Sequence, residues 1–299
     1  VSAQHRAPVR RRPARLLAGA AVTALVAGSA VLLTPQLASA AAPFPATTLY
    51  ATVSGSSTVY AVDRTSGAAT PAVTAPGNAT GLNQIGISGD GDELFMTNST
   101  TVFEYTASTD SWETAARPNP PLVPNQMGGV DPKSGKFFFG GLSSGSTFAF
   151  TSYDPDTNTI SSNVTSVTAA NPPGGNGDLA FDRQGNLYFI SSSDTAAQLY
   201  RVDAADLGGG STTAVAVGPV ITPASRLTSL AFGDDGYLYI AGSTANTFLQ
   251  VNPVTGATVA QRSINQGGTA LAVTDLGSRA VPSTGAASGG FTDGKAKPS

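Results

Sequence analysis

The chain has no cysteine, one histidine (His5), one tryptophan, and charged side chains at only 12% of its 299 positions. Lack of cysteine excludes disulfides, thiol nucleophiles, iron–sulfur clusters and Cys-ligated zinc. His5 lies in a segment that reads as a removable leader, so histidine-based triads, histidine-ligated haem and ordinary zinc sites are excluded from the remainder too. Stability must then come from burial, and the roughly 230 residues between leader and tail suffice for a substantial core.

What is present begins with the leader. Arg10, Arg11, Arg12 and Arg15 precede an uncharged run from Leu16 to Leu33, and a small-residue site follows at Ala38-Ser39-Ala40. This order predicts a secretory signal over residues 1–40, cleaved near Ala40 or Ala42, with Sec and twin-arginine routes both open. The run approaches the length of a membrane span, but its Gly, Ala and Ser content is weakly hydrophobic, so no membrane attachment is expected after cleavage. The Ala-, Gly- and Arg-rich leader resembles those of high-GC actinobacteria. Cleavage removes five of the sixteen basic residues and none of the nineteen acidic ones, leaving a net charge of −8. An acidic surface without a basic stripe excludes nucleic acid and anionic membranes as expected partners. Residues 41–48 read as a linker, 49–275 as the folded domain, and the Gly-, Ala-, Ser-, Pro- and Lys-rich 276–299 as a flexible tail.

Inside the domain a strand, a Gly turn and a second strand recur. The copies are Ile85 to Phe95, Gly128 to Phe138, Leu179 to Phe189 and Leu230 to Tyr239, with turn glycines Gly91, Gly135, Gly185 and Gly236 spaced 44, 50 and 51 residues apart. That is the repeat length of propeller blades. A second hairpin unit follows each copy, at Val102, Phe148, Gln198 and Phe248, and a fifth stands at Thr58 to Gly67 without an inner strand before it. Ala270-Leu271-Ala272-Val273-Thr274 matches Ser229-Leu230-Ala231-Phe232 and supplies the missing strand. The expected fold is therefore all-β: a single β-propeller of about five four-stranded blades, with the first blade closed by the C-terminal strand, which hides the sheet edges. Gly86, Gly129, Ala180, Ala231 and Ala272 share one position in the inner strands. Flanking bulky residues then predict a small-against-large interlock near the axis.

Gly185-Asn186-Leu187-Tyr188, Gly236-Tyr237-Leu238-Tyr239, Val59 to Gly67 and Gln250 to Gly256 resemble the NHL/YVTN-type β-propeller repeats of secreted bacterial proteins, over about residues 47–275. The resemblance implies the architecture and leaves function open, since the scaffold hosts lactonases, lyases, scaffolds and adhesins. A tryptophan docking motif in each blade and sialidase-type Asp boxes are both missing.

Asn83, Gln84, Gln126, Asn176, Asp178, Thr228, Ser229 and Thr269 start the inner strands and should rim one mouth of the central channel, where neutral amides and hydroxyls converge with Asp178 as the only charge. Such a mouth suits a sugar or a hydrated cation. Asp154, Asp156 and Asn158 have the spacing of the first ligands of a calcium loop, but the Gly and terminal Glu of an EF-hand do not follow, so an Asx-turn is the favoured reading and calcium the minor one. No other cofactor is expected. The favoured function is a secreted or cell-surface, monomeric, non-catalytic module that binds an extracellular glycan, a small polar ligand or a surface protein. The alternative is a lactonase- or lyase-type enzyme using a channel carboxylate or metal.

Overall fold

The computed structural model describes residues 43–279, apart from Asn78, Gly209, Ala224, Ala245 and Asn246. The expected leader lies outside the described residues, as does most of the expected tail. No helix among the described residues is long and apolar enough to cross a membrane. The chain is all-β and built from antiparallel sheets, as a β-propeller requires.

Alternating apolar residues separated by Gly turns produce the strands. Gly91, Gly135, Gly185 and Gly236 all sit at positive φ, between 70° and 85°, a conformation that costs glycine least. The second sheet runs Asn83–Ile87, Glu93–Thr97, Thr101–Thr106, Ser111–Ala116. Met127–Val130, Phe137–Ser144, Thr147–Asp154 and Thr165–Ala169 follow in the third, then Leu179–Phe181, Leu187–Ser192, Ala197–Val202 and Ser211–Ile221. A fifth group runs Leu227–Phe232, Leu238–Gly242, Phe248–Val251, Thr258–Arg262. One join was not foreseen. Thr165–Ala169 pairs in parallel with Ser211–Ile221, fusing the third and fourth groups into one nine-stranded sheet.

The first sheet takes its innermost strand from the far end of the chain, as expected, but from different residues. Val273–Ser278 pairs antiparallel with Thr48–Val53, with Ala51 opposite Leu276. Gly277, not Ala272, takes the small position, and the register is shifted by five residues from the expected one. Thr269–Ala270 instead pairs with Asn265–Gln266 in a two-stranded hairpin. Domain and tail boundaries move accordingly: Leu276, assigned to the tail, is fully buried. At the other end, Phe44 of the expected linker is buried too, donates its backbone N–H to the Gly91 carbonyl at 3.0 Å, and packs edge-on against Tyr50.

The five inner strands contact one another in cyclic order, Val273–Ser278 against Asn83–Ile87, then Met127–Val130, Leu179–Phe181, Leu227–Phe232 and back to Val273–Ser278. Five buried apolar clusters fill the wedges between neighbouring groups, including one where Ala231, Tyr239 and Phe248 of the fifth meet Leu49, Val62 and Leu276 of the first. Near the axis the interlock is tight: a Cβ on Gly129 would stand 2.9 Å from both Leu179 Cδ1 and the Leu179 carbonyl oxygen. Gly129→Ala is expected to lower stability by about 1–3 kcal/mol, as overpacking against backbone does, in a urea melt; an unchanged midpoint would contradict the interlock.

Candidate functional site

Two layers of side chains stack on the axis where the inner strands begin. The outer layer is Asn83, Gln126, Asn176, Thr228 and Thr274, one from each inner strand or the residues leading into it. With Gly177 they line a cavity of about 120 Å3. Four of the expected mouth residues thus converge. The fifth is Thr274, five residues beyond the expected Thr269, which is exposed on the two-stranded hairpin.

Backbone and side-chain bonds fix each mouth residue. Gln126 accepts the Leu142 N–H on Oε1 at 3.1 Å, and its own N–H bonds the Gly140 carbonyl at 3.0 Å. Asn176 exchanges two backbone bonds with Ser192, of 2.7 and 3.3 Å. Thr228 Oγ1 donates to the Val273 carbonyl at 3.0 Å, and Thr274 Oγ1 bonds Thr52 Oγ1 at 2.9 Å. The loop delivering Gln126 is held by Arg117, a buried guanidinium that donates to the carbonyls of Asn98 and Val123, each at 3.0 Å, and lies over the Phe139 ring. Asn83 Oδ1 is buried with no partner among the described residues, a costly state for an amide oxygen unless something fills it.

Deeper, one residue further along each strand or two in the case of Asp178, lie Gln84, Met127, Asp178, Ser229 and Asp275, all buried. Gln84, Asp178 and Ser229, expected at the rim, do not reach it. The Ser229 hydroxyl donates to the Ala241 carbonyl and accepts its N–H, filling a bulge. Gln84, at φ 60°, is a non-glycine residue in the left-handed region. Its amide is directed into the seam with the third group, where Nε2 donates to the Met127 carbonyl at 2.7 Å and Oε1 accepts from Thr97 Oγ1.

Asp178 and Asp275 form the floor. Asp178 accepts backbone N–H groups of Gly128 at 3.0 Å, Leu179 at 2.7 Å and Leu230 at 2.6 Å. Asp275 accepts those of Leu276 at 2.7 Å and Ile85 at 3.2 Å. Each donor immediately precedes the small position of its strand, so equivalent amides from all five inner strands end on these two carboxyls. The carboxyls are hydrogen-bonded to each other. Burial pushes both acids well above the ordinary carboxylate range; the bond between them lowers Asp178 and raises Asp275 further. Sequence reasoning missed Asp275, although Asp275-Leu276-Gly277 repeats Asp178-Leu179-Ala180.

Two of the three residues weighed for calcium are engaged by other side chains. Asp154 pairs with Lys136 at 3.1 Å and accepts the Asp156 N–H in an Asx-turn. Asn158 Oδ1 accepts from the Tyr153 hydroxyl at 3.2 Å, while Asp156 is exposed. Among the described residues no three His, Cys, Asp or Glu side chains group as metal ligands. Larger hollows of about 440 and 520 Å3 lie along the outer strands of the fourth and fifth groups, away from the axis. In the first, Arg201 is already paired with Asp203.

No family model matches the chain, and no curated protein matches it. Among solved structures it is similar to a protein of unknown function from Bacteroides caccae, at 12% identity over 72% of each chain with a TM-score of 0.43. A streptogramin B lyase gives 14% identity over 75% of this chain and 70% of that one, with a TM-score of 0.44. A functionally unknown protein from Desulfotomaculum acetoxidans gives 13% over 73% and 67%, with a TM-score of 0.42.

Proposed function

We propose that this chain is an exported bacterial protein whose folded part is one five-bladed propeller of the NHL/YVTN type, and that its axial mouth binds a small, uncharged polar ligand, in the first place the terminal sugar of an extracellular glycan, without transforming it. The observation that carries the reading is the convergence of one neutral polar side chain from each of five strands on one cavity, with the unpartnered Asn83 Oδ1 among its lining. Amides and hydroxyls offer both donors and acceptors, which suits vicinal hydroxyl groups better than a bare ion. At about 120 Å3 the cavity is well below the roughly 300 Å3 at which pockets enclose drug-sized ligands, so it would take one end of a glycan rather than a whole oligosaccharide. The acidic net charge supports a protein that works away from nucleic acid and anionic membranes, as a monomer.

The enzymatic alternative has one observation in its favour, the acid pair directly beneath the mouth. Both carboxyls are completely buried and their oxygens receive five backbone N–H bonds, so general acid catalysis would need the floor to open. A glycan array run beside calcium titration and lactone and polysaccharide-lyase assays separates these readings. The expected result is saturable sugar binding with no turnover. Turnover, or stoichiometric calcium without sugar binding, would overturn the proposal.

A further inference from the structure

We infer that the proton shared by Asp178 and Asp275 latches the closing strand onto the other inner strands, so that ring closure, and the mouth it completes, loosens as pH rises. The geometry assigns the latch. Asp178 collects amides of the third, fourth and fifth inner strands, Asp275 those of the first and second, and the bond between the two carboxyls joins the sets. Asp275 is on Val273–Ser278, the strand that closes the ring. If the shared proton is lost, two carboxylates face each other in a dry core, and the attraction that seats this strand on the axis becomes repulsion.

Among the described residues, none of opposite charge on the strands packed against the pair is placed to compensate. The facing strands Asn83–Ile87, Met127–Val130, Leu179–Phe181 and Leu227–Phe232 carry no charged side chain, and Thr48–Val53 brings only the Tyr50 phenol. Arg226, before Leu227, is paired with Asp194, and Arg279, beyond the far end of the closing strand, donates to the Gly89 carbonyl. Glu93 starts the second strand of its sheet just before Leu94, which stands opposite Ile87, also away from the mouth. Tyr188 and Tyr239 stand on neighbouring second strands, where burial makes both phenols harder to ionise.

The sign follows from proton counting. Above the ordinary carboxyl range the open chain has released both protons while the closed ring still holds at least one, so closure weakens with rising pH until the pair loses it. The closing strand also carries Thr274 and the Val273 carbonyl that holds Thr228. Only this consequence for ligand binding rests on the proposed function; the latch itself does not.

Hydrogen exchange of the full chain, corrected for the intrinsic pH dependence of exchange, tests the latch without any ligand. The opening constant of the Leu276 and Gly277 amides is expected to rise about tenfold per pH unit per proton held, from about pH 5, where free carboxyls are ionised, until the pair itself ionises, and to be nearly flat in Asp275→Asn, whose amide donates to Asp178 at any pH. Should that variant not fold, infrared spectroscopy of the wild type serves: a protonated-carboxyl band persisting above about pH 6, where ordinary carboxyls are ionised, is expected. A flat wild-type series, an equal slope in Asp275→Asn, or no such band would overturn the latch. If the latch holds and sugar binding fails, the proposed function alone falls.

Discussion

Removing residues 273–299 is expected to abolish cooperative folding, whereas removing only 280–299 leaves the thermal midpoint unchanged. The first truncation deletes the strand paired with Thr48–Val53, and with it Val273 and Leu276, both buried against the fifth group. Two such side chains are worth about 1.5–3 kcal/mol each, and leaving Asp178 in the core without its partner costs about 3–5 kcal/mol more. That total rivals the whole stability of an ordinary domain. The exposed edge of Thr48–Val53 also becomes a template for aggregation. The shorter truncation begins after Arg279, so the ring stays closed. Equal melts for the two truncations would remove C-terminal closure from the account.

Asp178→Ala should be the most damaging single substitution on the axis, lowering stability by about 3–5 kcal/mol at neutral pH. It strands the N–H groups of Gly128, Leu179 and Leu230 together with the Asp275 carboxyl. Asp178→Asn should fall between this variant and the wild type, because one amide oxygen can still accept from Gly128 and Leu179 while its NH2 meets the Leu230 N–H. Asp275→Asn keeps a donor towards Asp178 and loses only an acceptor for Ile85, so it should be milder still. A surface control, Asp154→Ala, gives up one exposed ion pair worth at most about 1 kcal/mol. Urea melts of the four variants measure the order; if Asp178→Ala matched Asp154→Ala, the pair would not be what holds the five strands.

The repeats were legible because Gly turns at nearly constant spacing and a small residue in each inner strand leave a trace that alternation alone does not. Closure was legible in kind, from one hairpin unit without an inner strand. Its register was not, since Ala270-Leu271-Ala272-Val273 alternates as Ser229-Leu230-Ala231-Phe232 does, and the pattern carries no preference between segments five residues apart. That slip put Thr269 in the place of Thr274 and left Asp275 unnoticed. Asp178 was noticed but assigned to the solvent-facing rim, because a lone acid at a strand start reads as a solvated loop end. Its burial depends on a second acid from across the ring sharing a proton, a long-range pairing that local sequence does not display. Arg117 escaped for another reason: its partners are mainly backbone carbonyls, those of Asn98, Val123 and Pro124, and arginine is rarely buried without a carboxylate.

The central claim, that the axial mouth is where this protein binds, is tested most directly by calorimetric titration of the best monosaccharide from the array into wild type, Asn83→Ala combined with Asn176→Ala, and Asp154→Ala. The double mouth variant is expected to lose affinity by about tenfold or more, the size expected when buried hydrogen bonds to a ligand are removed, while Asp154→Ala binds as wild type does. Equal affinity in all three proteins would contradict it and move the working surface to the outer edges of the sheets.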